Sequence, residues 1–143
     1  MIEKIETYGD KETYELGFKL GSQAFEGEII CLTGDLGTGK TVFAKGFAKG
    51  LGIEEEISSP TFTIIHEYES GRLPLYHFDV YRLSDISEMD EIGYEEYFFS
   101  KGVCLVEWGE LFYDLFPKNS RYITIKKDLS QGVDYRCIEI EDR

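Results

Sequence analysis

Residues 34–41, Gly34-Asp35-Leu36-Gly37-Thr38-Gly39-Lys40-Thr41, fit the pattern G-x-x-x-x-G-K-[ST], and their flanks narrow the fold further. Directly before them, Ile29-Ile30-Cys31-Leu32 is a continuous apolar run of strand length, the pattern of a strand buried on both faces. Directly after them, Phe43, Phe47 and Leu51 recur at helical spacing while Lys45 and Lys49 face away, and Gly50 and Gly52 offer places for that helix to stop. Between a buried strand and a helix, such a loop curls so that successive N–H groups point inward, and the helix directs its positive end at the same spot. That is a phosphate cradle: Lys40 is expected to bridge terminal phosphates and Thr41 to bind magnesium.

The rest of the chain supplies a sheet for this loop. Ile2 to Thr7 reads as a short strand, and Asp10 as the cap of a helix in which Leu16, Leu20 and Ala24 recur on one face, with Glu12, Glu15 and Lys19 on the other. Thr61 to Tyr68 and Leu73 to Val80 read as two strands joined by a turn at Glu69-Ser70-Gly71-Arg72. Glu88 to Phe99 reads as one or two short acidic helices. Val103-Cys104-Leu105-Val106 is a second fully apolar strand that ends on Glu107-Trp108. Tyr122 to Lys126 and Arg136 to Ile140 alternate around a Ser130-Gln131-Gly132 turn, which predicts a closing antiparallel hairpin. With three prolines, no linker and no internal repeat, residues 1–143 are read as a single domain. The expected class is α/β, a P-loop NTPase domain with a mixed, mostly parallel sheet between helices.

Composition limits the partners. Acidic residues outnumber basic ones 28 to 15, and the formal charge of −13 repels a phosphate backbone, so any contact with nucleic acid is expected to be indirect. Cys31, Cys104 and Cys137 are widely spaced in apolar, strand-like runs, which suits buried free thiols in a reducing compartment. The first residues lack the apolar core of a signal peptide and no apolar run reaches membrane length, so a cytoplasmic location is expected.

Within the P-loop class, the sole asparagine, Asn119, is followed by Ser120, so the N-K-x-D guanine motif is missing. Leu129-Ser130-Gln131-Gly132 has the letters of a transporter-ATPase signature but lies between two strand candidates rather than at a helix start. The five arginines are scattered, unlike the arginine-rich lid of a small-molecule kinase. An ATPase needs a carboxylate at the end of a strand beside the loop, and there are two: Glu107, after Val103 to Val106, and Asp79, within the aromatic strand Tyr76-His77-Phe78-Asp79-Val80-Tyr81-Arg82. Either is alternatively an acid that simply meets solvent, and the residues alone do not separate their roles. Pro60 holds the chain extended where Thr61 starts a strand, so Thr61 is either a switch-type magnesium contact or a plain strand start. His77 shares a strand face with Asp79 and is placed to order it, or to sit as a satisfied core histidine. Trp108 offers a stacking surface to a nucleotide or partner, or packs.

Taken together, GDLGTGKT (34–41), SPTFTIIHEY (59–68), HFDVYRL (77–83), EIGYEEYF (91–98) and LVEWGE (105–110) resemble, in order and spacing, the TsaE (YjeE) family of bacterial P-loop ATPases of tRNA threonylcarbamoyladenosine biosynthesis. The resemblance runs from the first helix to the last hairpin. It implies an ATPase, with ATP and Mg2+ as cofactors, that works with two paralogous subunits of TsaD and TsaB type to attach threonylcarbamoyl to the adenosine beside the anticodon of tRNAs reading ANN codons. The transfer chemistry would belong to a partner, and ATP turnover would reset the complex between rounds. Carried over by motif, Leu36, Gly37, Thr38, Gly39, Lys40 and Thr41 would bind nucleotide, Thr41 and Glu107 would hold magnesium, and Asp79 and Thr61, with Lys40, would support hydrolysis. Asp10 and Gly132 would lie on the base side. Where relatives often show a second threonine after Thr41, this chain has Val42. A nucleotide-gated binding switch and a small-molecule kinase stand as the alternatives.

Overall fold

The computed structural model of the chain describes residues 2–35, 37–57 and 64–142. Its elements follow the expected order: β1 (Ile2–Thr7), α1 (Asp10–Ser22), β2 (Ile29–Thr33), α2 (Lys40–Gly50), β3 (Ile65–Tyr68), β4 (Leu75–Asp79), α3 (Ile86–Glu91), α4 (Tyr94–Phe98), β5 (Val103–Glu107), β6 (Arg121–Lys127) and β7 (Arg136–Asp142). Two 3₁₀ turns, Gly109–Leu115 and Leu129–Gln131, follow β5 and β6. The strands form one seven-stranded sheet in the order β1-β7-β6-β2-β5-β4-β3. Its centre, β6-β2-β5-β4, is parallel. The β3–β4, β6–β7 and β1–β7 pairs are antiparallel, so each side of the parallel centre is flanked by a reversed strand, β3 at one edge and β7 one strand in from the other, where β1 again runs with the centre. The expected C-terminal hairpin is the β6–β7 pair.

Both faces of the sheet are covered, as the continuous apolar runs of β2 and β5 require. Ile30, Leu32 and Leu105 alternate onto a core shared with Leu16 and Leu20 of α1 and Phe43 and Phe47 of α2. Cys31, Cys104 and Val106 point the other way, onto Met89, Phe98 and Phe112. At about 25 cal/mol per Å2 of apolar surface removed from water, a core of this size supplies most of the drive to fold.

On the first face the two long helices touch backbone to backbone. Glycines make that contact: a Cβ added to Gly21 would lie 2.1 Å from the carbonyl oxygen of Phe47, and one added to Gly46 would lie 2.1 Å from that of Tyr14. Gly17 and Gly50 repeat the arrangement against Phe43 and Phe18. A buried bond of 2.8 Å between the hydroxyls of Thr7 and Thr13 then fastens the first turn of α1 to the end of β1.

Three readings from the sequence need correction. Gly9, not Asp10, occupies the cap position of α1; Asp10 is the first helical residue, where its charge still faces the positive helix end. Ala24 is buried with the α1 face but lies beyond the end of the helix. All three cysteines are free as expected, yet Cys137 is only half-buried, because the edge-side β7 is covered less than β2 and β5. Among the described residues no helix is long and apolar enough to cross a membrane.

Candidate nucleotide site

The loop after β2 is shaped by its glycines. Gly34 sits at φ +149, and a Cβ there would lie 2.7 Å from the carbonyl oxygen of Ile125, so β6 leaves space for nothing larger. Gly39, at φ +106, turns the chain into α2, and Phe43 N–H donates to its carbonyl at 2.9 Å. Thr38 is buried, and its hydroxyl donates to the Asp35 carbonyl at 2.8 Å, bracing the loop from within. Leu36 lies outside the described residues, as does Thr61.

The parallel strands deliver the acids. Asp79 ends β4 and Glu107 ends β5, and the register sets them directly opposite each other. His77, two residues earlier on β4, shares the face of Asp79. Its ring nevertheless reaches across the strands: His77 Nε2 lies 2.5 Å from Glu107 Oε2, with 1% and 6% of the two residues exposed. The histidine therefore orders Glu107 rather than Asp79. Asp79 Oδ1 instead accepts the Tyr81 N–H at 3.0 Å. Burial pushes the Asp79 carboxyl above its ordinary range, against the Tyr81 hydrogen bond, and the Glu107 charge opposite pushes the same way.

Lys40 completes the constellation. It begins α2, is 6% exposed, and its Nζ has no hydrogen-bond partner among the described residues. Burial lowers its pKa, opposed by the carboxylates of Glu107, Glu110, Asp79 and Asp35. The ammonium lies 3.4 Å from the ring centroid of Trp108, which in turn contacts the Tyr81 ring at 4.9 Å.

Lys40, Asp79, Tyr81, Glu107 and Trp108 line one cavity of about 480 Å3, together with Asp10, Gly37, Gly39, Thr41, Val42 and Arg136. The structure thus gathers Asp10, the loop glycines, Lys40, Thr41, Asp79 and Glu107 at one place. Gly132, in the β6–β7 turn at φ +126, is not among the lining residues. Arg136 is the residue that reading the sequence missed. As the first residue of β7, which runs against β6, it arrives at the end of the sheet where the parallel strands finish. Its Nε donates to the Thr38 carbonyl at 2.8 Å, and Nη1 donates to the carbonyls of Val133 and Tyr135. No local motif marks it; only the strand direction places it there.

The donor set suits a magnesium polyphosphate. A buried ammonium without a hydrogen-bond partner among the described residues, a helix N-terminus and an arginine favour anionic oxygens. Among the described residues no group of three His, Cys, Asp and Glu side chains is placed to hold a metal alone. Two carboxylates and a threonine hydroxyl match magnesium, which takes few protein ligands and completes its shell with phosphate and water.

A buried strand, a glycine loop closed on a lysine at the start of the next helix, and acids on the neighbouring parallel strand ends define a P-loop protein. A family model described as "Threonylcarbamoyl adenosine biosynthesis protein TsaE" matches residues 7–136. The chain belongs to the TsaE family. It is 49% identical over 124 residues to the tRNA threonylcarbamoyladenosine biosynthesis protein TsaE of Bacillus subtilis, covering 87% of this chain and 77% of that one. The protein of the same name from Treponema pallidum is 44% identical over 116 residues, covering 81% and 85%. A crystal structure of Bacillus subtilis YdiB superposes with a TM-score of 0.83 at 42% identity, over 98% of this chain and 84% of that one.

Proposed function

We propose that this chain binds ATP with magnesium in the loop cavity and hydrolyses it slowly, as an accessory subunit of the cytoplasmic complex that attaches threonylcarbamoyl to the adenosine beside the tRNA anticodon. The observation that carries this reading is the placement of Lys40: a buried ammonium without a hydrogen-bond partner among the described residues, facing a cavity edged by Thr41, Asp79 and Glu107. The names of the similar proteins point to the pathway. The net charge of −13 supports the indirect relation to tRNA, with subunits of TsaD and TsaB type as the intermediaries.

In this reading the loop N–H groups and Lys40 hold the phosphates, and Arg136 keeps the loop in shape through Thr38. Thr41 and Glu107 are the magnesium ligands, with His77 fixing the Glu107 carboxylate. Asp79, adjacent and free of that histidine, orients the attacking water, with Thr61 assisting. Magnesium, when bound, offsets charge on the phosphate oxygens. Asp10 and the turn at Gly132 form the base side.

The test is phosphate release by the chain alone and with the two partner subunits. Slow turnover alone, with complex formation that depends on the nucleotide, is expected. Fast hydrolysis that is equal with and without partners, and no complex in any nucleotide state, would refute the accessory role. Glu107→Ala separates hydrolysis from nucleotide-gated switching: if it binds ATP and sustains tRNA modification over many cycles, hydrolysis is dispensable. Label passing from ATP to a metabolite rather than to free phosphate would establish a kinase instead.

A further inference from the structure

Lys40 is the side chain on which phosphate binding depends, yet here its ammonium is already engaged. It lies 3.4 Å above the Trp108 ring, well inside the range of roughly 6 Å over which a cation is attracted to an aromatic face. Trp108 is held for this contact. Its backbone is left-handed, φ 63 and ψ 30, a conformation that is unfavourable for a residue with a Cβ. The Tyr81 ring packs against it at 4.9 Å. Trp108 also directly follows Glu107, so the indole is fixed to the strand end that carries an acid of the site.

An ammonium pressed onto an indole cannot at the same time give its N–H groups to phosphate oxygens along the same approach. We propose that Trp108 is a holding face for Lys40 that competes with the polyphosphate chain: the indole keeps the buried cation paired, and a polyphosphate must draw the ammonium off the ring in order to bind. This rests on the reading of the cavity as a nucleotide site and deepens it. It makes Trp108 a positioning residue that acts through Lys40, and it makes the trigger the polyphosphate rather than the base.

Trp108 is the only tryptophan of the chain, so tryptophan emission comes from this ring alone, and the Lys40 variants separate the ammonium contact from the ring's other neighbours. The experiment titrates the intact protein with magnesium tripolyphosphate, ATP and adenosine, following tryptophan emission and calorimetric heat together. Tripolyphosphate and ATP are expected to shift the emission alike, and adenosine to leave it unchanged. Lys40→Met should shift the emission before any ligand is added, and Lys40→Arg, which keeps the cation, should restore most of the original signal. Trp108→Leu, read by calorimetry, should bind tripolyphosphate more tightly by roughly 3- to 30-fold, the factor such a contact is worth, with Trp108→Phe in between. An emission shift caused by adenosine alone, an unchanged spectrum in Lys40→Met, or weaker tripolyphosphate binding by Trp108→Leu would each overturn the proposal. Binding of ATP with no change in emission removes the holding face and leaves the ATP site standing. No heat with ATP, but heat with tripolyphosphate, removes the ATP reading and leaves the holding face standing.

Discussion

Arg136 joins two parts of the site through main-chain carbonyls alone: Thr38 in the phosphate loop, and Val133 and Tyr135 in the turn that leads into β7. Because a planar guanidinium matches this spread of acceptors and an ammonium does not, Arg136→Lys should behave nearly as badly as Arg136→Ala. Either change is expected to cost about 1.5–3 kcal/mol in urea unfolding, the usual worth of hydrogen bonds to a charged group, and to weaken ATP binding in calorimetry by tenfold or more. Another arginine gives a pH test. The Arg121 guanidinium, with N–O distances of 2.7 and 3.2 Å, holds the Asp142 carboxyl below its usual range. A carboxyl depressed in the folded state adds stability above its unfolded pKa and loses it as pH falls through the folded one. The Asp142 side chain is 63% exposed, so solvent screens the pair. Asp142→Asn should therefore lower stability by about 0.5 kcal/mol at neutral pH and by nothing below the aspartate range, as read from urea midpoints at both.

At the scale of elements, the helix crossing is the sharpest constraint. Gly46→Ala would push a methyl group to 2.1 Å from the Tyr14 carbonyl, and backbone cannot turn aside as a side chain can. The expected loss is about 3 kcal/mol, seen as a lower urea midpoint, with Gly21→Ala equivalent because it meets the Phe47 carbonyl at the same distance. The strands and helices were legible because their signals are local. The apolar runs of β2 and β5, the 3.6-residue recurrence of Phe43, Phe47 and Leu51, and the loop pattern each lie within a dozen residues. The glycine crossing was not, since a glycine in a helix reads first as a stop, and Gly50 was read as one. Its close-packing role appears only when a second helix lies against it. The same limit explains the partial success at the site. Face alternation put His77 beside Asp79 correctly, but its diagonal reach to Glu107 depends on the β4–β5 register, which no single segment encodes. Arg136 and the Lys40–Trp108 contact likewise join residues far apart in sequence.

At the scale of the whole molecule, the three free thiols carry no covalent share of the stability. Cys104 is buried enough for its pKa to rise to about 12, so its reactive thiolate is scarce at neutral pH. The thermal midpoint should accordingly be the same with and without a reductant; a drop on adding one would reveal a disulfide between chains. The touching glycine backbones of α1 and α2 bear on a different matter, which parts of the molecule are free to move. Where the glycines meet the facing main chain there is no room for a methyl group, so the two helices are closely coupled there, and the Thr7–Thr13 bond ties β1 to the same block. The loop that runs into α2 is thus mounted on the more tightly coupled layer. If the nucleotide acts on a partner through a displacement, the opposite layer is where we expect it, because α3 and α4 are short and pack onto the sheet through side chains such as Met89 and Phe98.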